Sequence, residues 1–256
     1  MTSMEKSYNF LTLPSRFTKI ITMKKSLQLI RFSTILLVFL LFFSTLYAQK
    51  NKQPKENKYE KEISSLEQLD KTEKYADNSI LFVGSSSIRL WSTLKEDIAP
   101  YPFIQRGFGG SRTPDVVYYM KRLAYPHNFR AVVIFVANDL TGSANDLKPK
   151  ETLHNYRKIV KIIRAKYKKQ PVFIIEITPS SQRWKSWPQI QQTNALLKNY
   201  CAKGKNLYFI ETAQNYLNEK GEPRDELFRE DHLHLNREGY KIWGRLVKSS
   251  LDEVLK

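Results

Sequence analysis

The sequence contains a single cysteine, and its 25 acidic residues are outnumbered by 42 basic ones. Cys201 cannot form an intramolecular disulfide, so stability must come from packing. Its position in a helical pattern favours a small buried side chain. The basic excess persists beyond residue 48 and would favour an anionic partner, but no basic run is interleaved with aromatic residues. Nucleic acid is therefore not a predicted partner, and we interpret the charge as mostly solvated surface.

Histidine is also scarce, with four residues in 256, and two of them lie together near the C-terminus in DHLHLNREGY. This stretch is compatible with a metal site, a catalytic acid–base pair or a capped turn. A metal site built from Asp231, His232 and His234 would lack further ligands, since His127 and His154 are isolated and the only cysteine lies elsewhere. No metal site is therefore predicted.

Residues 1–48 are set apart by one apolar run. The stretch FSTILLVFLLFFSTLY, residues 32–47, carries no charge, follows a basic segment and precedes a small residue, Ala48. This pattern is typical of a secretory signal, whereas a spanning helix usually needs about 20 apolar residues. We therefore predict a signal peptide region in residues 1–48 and a secreted or periplasmic protein.

Two details of this signal leave an alternative open. Met23 gives it a short basic head and makes a more natural first residue than Met1. Leu46, three positions before a cut after Ala48, is a poor match to the small residue that cleavage favours. An uncleaved N-terminal anchor therefore stays as the alternative, and membrane contact is predicted only through this segment.

Residues 49–62 are a polar, lysine-rich spacer, and the predicted domain covers residues 63–256. Apolar runs alternate along it with stretches of helical periodicity, and runs such as AVVIFV and PVFIIEI do not alternate polar with apolar residues. Such strands are buried on both faces, which indicates a parallel sheet covered by helices. The predicted strands are 80–83, 103–105, 131–136, 171–177 and 207–210; the predicted helices are 63–75, 113–124, 150–168, 189–202 and 237–254. The fold class is therefore α/β, a three-layer α/β/α sandwich with a five-stranded parallel sheet.

Ligands bind beyond the carboxyl ends of the strands in such a sheet, and a polar or glycine-rich motif follows each of the first three predicted strands. These motifs are GSSSIRLW, RGFGGSRTPD and VANDLTG. Ser86 could act as a nucleophile or cap a helix, and the glycines could approach a ligand or form a plain loop. Asn138 could donate its amide to an oxyanion or make a turn.

The fourth motif precedes the last predicted helix. Asp231 and His234 are three residues apart, so a turn could let the carboxylate accept the imidazole Nδ1–H and leave Nε2 free as a base. A capping turn with Asn236 as the cap is the alternative. Each motif is ambiguous alone, but their order along one sheet edge makes a complete set for acyl transfer.

These motifs, in this order, resemble the SGNH or GDSL-like serine hydrolases, which carry Ser, Gly, Asn and His in separate blocks. The resemblance runs from about Ser79 to the C-terminus. It implies a flavodoxin-like SGNH hydrolase fold, a Ser-His-Asp triad and no cofactor. In this triad Ser86 is the nucleophile, His234 the general base and Asp231 the residue that orients the imidazole.

The resemblance also implies an oxyanion hole formed by the backbone N–H groups of Ser86 and Gly110 and by the side-chain amide of Asn138. Two positions depart from the usual family pattern. Ser85 stands where the family has aspartate, and Val136 stands where it has glycine.

The segment PSSQRWKSW, residues 179–187, follows the fourth predicted strand. It is similar to a Pro-Ser-x-x-Arg-Trp stretch in family members related to acetylhydrolases and carbohydrate esterases. The similarity implies substrate contacts for Arg183 and Trp184. A tryptophan here, Trp184 or Trp187, could stack on a sugar ring, line an acyl pocket or only pack.

The predicted function is a secreted serine ester hydrolase that removes a small acyl group, such as acetyl, from a carbohydrate or similar polar ester. A lipase or lysophospholipase of the same family is one alternative, although no extended apolar lid lies between the motifs. A non-catalytic binding module on this fold is another. The departures at Ser85 and Val136 suggest such a module, and it is disfavoured by the presence of Ser86, Asn138, Asp231 and His234.

Overall fold

The computed structural model describes residues 58–256; the predicted signal and most of the predicted spacer lie outside the described residues. Strands and helices alternate along the described chain. The strands are β1 (Ile80–Gly84), β2 (Phe103–Gly107), β3 (Ala131–Phe135), β4 (Val172–Ile175) and β5 (Leu207–Ile210). The α-helices are α1 (Glu60–Thr72), α2 (Ser86–Arg89), α3 (Leu94–Asp97), α4 (Thr113–Ala124), α5 (Pro149–Lys166), α6 (Trp187–Lys203) and α7 (Arg237–Val254). Three 3₁₀ turns cover Ser181–Ser186, Ala213–Tyr216 and Asp225–Leu227.

The five strands form one parallel sheet in the order β2-β1-β3-β4-β5. This is the flavodoxin-like order of a doubly wound sheet. Every residue of β1, β3 and β4 is buried, because these strands lie inside the sheet with helices on both faces. The predicted fold class is confirmed.

Two apolar cores lie on opposite faces of the sheet. Leu81 and Val83 of β1 pack into one core with α4, α5 and part of α6. Ile80 and Phe82 of the same strand pack into the other core with α3 and α7. Successive side chains of a strand point to opposite faces, so one unbroken apolar run serves both layers.

Local signals set the starts of three helices. Pro149 is the first residue of α5, where its missing N–H costs nothing. The Asp115 carboxylate accepts the Arg112 N–H before α4, at 2.9 Å. Asn236 caps α7, since its side-chain oxygen accepts the Gly239 N–H at 3.1 Å; the sequence had offered this cap as an alternative interpretation of the stretch.

Helix α1 begins at Glu60, three residues earlier than predicted. Residues 58–62 therefore belong to the folded unit rather than to the spacer. Tyr59 is buried with its ring edge-on to Phe108, at a centroid distance of 5.2 Å. Glu60 also pairs with Arg122 of α4 at 2.7 Å. These contacts join residues 49 and 62 positions apart in sequence, so the local polar composition does not reveal them.

Helices α2 and α3 were not predicted, because four residues are too few to show a helical period. The 3₁₀ turns escape prediction for the same reason. Among residues 58–256, no helix combines the length and the apolar character needed to cross a membrane.

Candidate active site

Ser86 lies where β1 ends and α2 begins. The strand ends at Gly84, and a Cβ atom on that residue would lie only 1.9 Å from the Phe135 carbonyl oxygen of β3. Glycine therefore allows the two strand ends to touch through their backbones. The next residue, Ser85, donates its N–H to the same carbonyl at 3.1 Å. The chain then turns into α2 and places Ser86 at the carboxyl edge of the sheet.

The Ser86 hydroxyl is the first member of a hydrogen-bonded row. Its Oγ lies 2.9 Å from His234 Nε2, and His234 Nδ1 lies 2.6 Å from Asp231 Oδ2. A carboxylate only accepts hydrogen bonds, so Nδ1 carries the proton and Nε2 is left to accept from the serine. We call Ser86, His234 and Asp231 the reactive row.

A tight loop holds the Asp231 carboxylate, the last member of the reactive row. Asp231 Oδ1 accepts the backbone N–H groups of Leu233 at 3.0 Å and His234 at 2.9 Å. Partial burial opposes the charged carboxylate, but the bonds from the His234 ring and these two N–H groups outweigh it. Together they lower the pKa of Asp231 to about 2. Asp231 is therefore ionised at neutral pH and faces the imidazole as an anion.

The Asn138 amide has a fixed orientation beside this row. Its Oδ1 accepts from Arg183 Nη2, and its Nδ2 donates to the Ser111 carbonyl at 3.0 Å. A guanidinium only donates hydrogen bonds and a carbonyl only accepts them. The amide oxygen of Asn138 must therefore face Arg183, and the amide nitrogen must face the Ser111 carbonyl. Within residues 58–256 the second Nδ2–H has no hydrogen-bond acceptor, and Asn138 lines the same cavity as Ser86 and His234.

The turn after β3 begins at Val136, and the hydroxyl of Tyr156 holds the backbone of this residue. The Val136 N–H donates to the Tyr156 hydroxyl, which in turn donates to the Val136 carbonyl, both at 3.0 Å. Further along, the buried Asp139 carboxylate accepts the N–H and the hydroxyl of Thr113 at 3.0 and 2.6 Å. Burial raises the pKa of Asp139. Asp139 thus ties this turn to the start of α4.

Gly110 lies in the loop after β2 with a φ of 69°, a conformation that favours glycine. Its carbonyl accepts the Tyr59 hydroxyl at 2.8 Å, and the neighbouring Gly109 N–H donates to Glu62 at 2.9 Å. Helix α1 and the residue before it therefore brace this loop. Within residues 58–256, the N–H groups of Gly110 and Ser86 have no hydrogen-bond acceptor.

A small cavity opens beside Ser86. Its volume is about 20 Å³, and its wall includes Asn138, Arg183, Thr178, Ser180 and Trp243. A cavity of roughly 10–15 Å³ holds one water. Arg183 is buried, and its burial lowers the pKa of the guanidinium to about 10, so it stays cationic at neutral pH.

Other residues named in the sequence lie away from this cavity. Trp184 does not line it; its indole stacks on Trp187 at a centroid distance of 5.8 Å. His232 faces Asp225 at 3.4 Å rather than the reactive row. Cys201 is buried in α6, and its burial raises the pKa of the thiol to about 12. Within the described residues, no three His, Cys, Asp or Glu side chains are grouped so that they could hold a metal ion.

Four site residues were missed in the sequence. Thr178 and Ser180 lie three and five residues after the end of β4, so their place near the carboxyl edge of the sheet was an available signal. Trp243 lies in α7 and cannot be told from an ordinary core tryptophan by its spacing. Tyr59 lies before the predicted domain, and no local pattern marks its contact with Gly110.

Comparison with known proteins places the chain among acylhydrolases. A family model described as GDSL-like Lipase/Acylhydrolase family matches residues 77–242. No curated protein sequence matches.

Three solved structures show the same fold at low sequence identity. A Streptococcus pneumonia protein, provisionally named a platelet activating factor, is 18% identical with a TM-score of 0.68, covering 81% of this chain and 99% of the other. A GDSL-like lipase from Bacteroides thetaiotaomicron is 18% identical with a TM-score of 0.62, covering 75% and 97%. A carbohydrate esterase family 3 protein from Talaromyces cellulolyticus is 14% identical with a TM-score of 0.57, covering 70% and 98%.

Proposed function

The chain belongs to the GDSL-like lipase/acylhydrolase family, and we propose that it is a serine hydrolase that removes a short acyl group from a carbohydrate or similarly polar ester. The observation that carries this proposal is the reactive row, with 2.9 Å between Ser86 and His234 and 2.6 Å between His234 and Asp231. These are hydrogen-bond distances at which the serine proton can move to the imidazole.

In the first half of the reaction, Ser86 Oγ bonds to the ester carbonyl carbon while His234 Nε2 takes the hydroxyl proton. The Asp231 carboxylate stabilises the imidazolium, which then donates that proton to the oxygen of the departing alcohol. The acyl group is left on Ser86. Water repeats the attack with His234 again as base, and the free acid and the serine hydroxyl are regenerated.

The negative charge on the carbonyl oxygen would be stabilised by the Ser86 and Gly110 N–H groups and by the free Nδ2–H of Asn138. Three observations support this assignment. Neither backbone N–H has an acceptor within residues 58–256, the amide orientation of Asn138 is fixed by its neighbours, and Arg183 places a cation beside the amide. Loss of one such donor typically costs about 3 kcal/mol, or a hundredfold in rate.

The cavity volume favours a short acyl group over the long chain of a lipase substrate. About 20 Å³ leaves room for roughly one or two non-hydrogen atoms beyond the carbonyl carbon, as in an acetyl group. A sugar does not fit there, so the alcohol must lie on the open side of Ser86. One protein of the same fold is named a carbohydrate esterase, which agrees with a polar alcohol.

We also propose that the enzyme is exported, because the uncharged run from Phe32 to Tyr47 has the length and basic flank of a secretory signal. Fractionation of producing cells, followed by N-terminal sequencing, tests this. Recovery of the intact chain from the cytoplasm would contradict it, and recovery of the intact chain in the membrane would favour the anchored alternative.

Hydrolysis of p-nitrophenyl acetate by the wild type and by Ser86→Ala tests the function itself. We expect a loss of at least about 10³-fold in kcat/KM, because the nucleophile is removed while the fold is kept. Ser87→Ala, one residue along the same helix, is the matched control and should keep activity within a few-fold. Equal rates for the wild type and Ser86→Ala would exclude Ser86 as nucleophile.

A further inference from the structure

Three buried polar atoms that belong to residues lining the cavity have no hydrogen-bond partner within residues 58–256. They are Thr178 Oγ1, Ser180 Oγ and Trp243 Nε1, and each of the three residues is more than nine-tenths buried. Of the seven buried side-chain atoms of the described chain that lack a partner, three belong to residues that line this one cavity, which has room for about one water. A buried polar atom without a partner is costly, and such atoms indicate a ligand when they lie together.

The position of this cavity restricts what can enter it. It borders Ser86 and His234, so an entering group must be attached close to the reacting carbonyl. The alcohol side of an ester must leave towards solvent with the proton from His234, and it is too large for about 20 Å³. The group that enters is therefore the end of the acyl chain.

The hydrogen-bonding pattern of the wall restricts the chemistry of that group. Trp243 Nε1 can only donate, whereas the Thr178 and Ser180 hydroxyls can donate or accept. An alcohol hydroxyl offers one proton and two lone pairs, so it can accept from Trp243, accept from one wall hydroxyl and donate to the other. A methyl group of the same size leaves all three unpaired, and a carboxylate needs more room.

We propose that the cavity binds a hydroxyl on the carbon next to the ester carbonyl, so that short 2-hydroxyacyl esters such as glycolyl esters are preferred substrates. This rests on the proposed serine hydrolase function and adds the chemical class of its acyl group. Glycolyl and propionyl esters differ only by a hydroxyl in place of a methyl, so comparing them isolates the proposed contact from size.

The test measures kcat/KM for matched acetyl, propionyl and glycolyl esters of one phenol. Each value is divided by the hydroxide-catalysed rate of the same ester, because the hydroxyl itself activates the carbonyl. We expect the wild type to prefer glycolyl over propionyl by at least about tenfold after this correction, since a site built for a hydroxyl rejects the analogue without it.

Two substitutions assign that preference to the cavity. Thr178→Val keeps the side-chain shape and Ser180→Ala changes it little, and both remove a hydroxyl. In the double variant we expect the glycolyl-to-propionyl ratio to fall towards one while acetyl hydrolysis continues. Thr193→Val, a buried threonine of α6 outside the cavity wall, should leave the ratio unchanged.

The outcomes separate this inference from the proposed function. A corrected ratio near one in the wild type overturns the hydroxyl site but leaves an active hydrolase. If the double variant keeps a high glycolyl-to-propionyl ratio, the preference arises outside the cavity and the hydroxyl site is also overturned. If the double variant does not fold, the same conclusion follows from a high ratio in Ser180→Ala alone. Absence of hydrolysis for all three esters would instead contradict the proposed function.

Discussion

Two aspartate–histidine pairs lie close together before α7, and only one of them is connected to a serine. In the first, His234 Nδ1 lies 2.6 Å from Asp231 and Nε2 lies 2.9 Å from Ser86. In the second, His232 Nδ1 lies 3.4 Å from Asp225, and within the described residues no hydroxyl binds its other nitrogen. The His232 side chain is 52% exposed and that of His234 is 20% exposed. The residue types of an aspartate–histidine pair therefore do not determine whether it is connected to a serine; the surrounding fold does.

The loop conformation explains why neighbouring histidines have different surroundings. Asp231 binds the N–H groups of Leu233 and His234, which folds the chain back on itself. His232 lies inside this fold with a φ of 50° and donates its N–H to the Arg229 carbonyl at 2.9 Å. A single tight turn thus directs one imidazole to the sheet edge and leaves the other at the surface.

The largest expected contrast comes from replacing each histidine by asparagine. His234→Asn should lower kcat/KM for p-nitrophenyl acetate by about 10⁴-fold, since the base is lost. His232→Asn should stay within about twofold, because asparagine tolerates a positive φ. Circular dichroism checks the fold of both. A similar large loss in both variants would contradict the distinction between the two pairs.

A smaller contrast is expected for the aspartates. Asp231→Asn should lower kcat by about 10²-fold to 10⁴-fold, because an amide can no longer hold the imidazole in the tautomer that accepts the serine proton. The lower end is included because the Asp231 side chain is 47% exposed, so water can partly replace it. Asp225→Asn is the control, with kcat expected within about twofold. Full activity of Asp231→Asn at saturating ester would remove Asp231 from the mechanism.

The smallest effect concerns stability in acid. The pKa of Asp231 is lowered from 3.8 to about 2, so its ionised form stabilises the folded state above pH 3.8, and this contribution is lost as the pH falls through about 2. Because the carboxylate is half exposed, we expect less than about 1 kcal/mol. Urea unfolding from pH 5 to 2.5 should show the stability gap between the wild type and Asp231→Asn closing as the pH falls. A gap that stays constant over this range would show that ionisation of Asp231 does not stabilise the fold.

The fold could be predicted from the sequence because its strands are buried on both faces. Runs such as AVVIFV have no polar alternation, and a parallel sheet between helices is the structure that buries them. The start of α7 was predictable for a local reason, the Asn236 cap. The start of α1 was not, because Tyr59 is held by Phe108 and Gly110 in a distant loop.

The residues of the site also divide into those that the sequence could predict and those that it could not. Ser86, Asn138 and His234 follow strand ends or precede the last helix, so topology brings them to one edge of the sheet. The positions of Thr178 and Ser180 after a predicted strand were also predictable, but the property that they share with Trp243, a buried polar atom without a hydrogen-bond partner, was not. That property exists only once every other contact in the fold is made.

The contact between the ends of β1 and β3 limits how this enzyme can change over generations. A Cβ atom at position 84 would meet the Phe135 carbonyl oxygen at 1.9 Å, and a strand backbone cannot move aside as a side chain can. Every codon change that replaces Gly84 would therefore push Ser86 away from His234. Mutation can change the side chains that line the cavity one at a time, but the strand end beside it is restricted to a single amino acid.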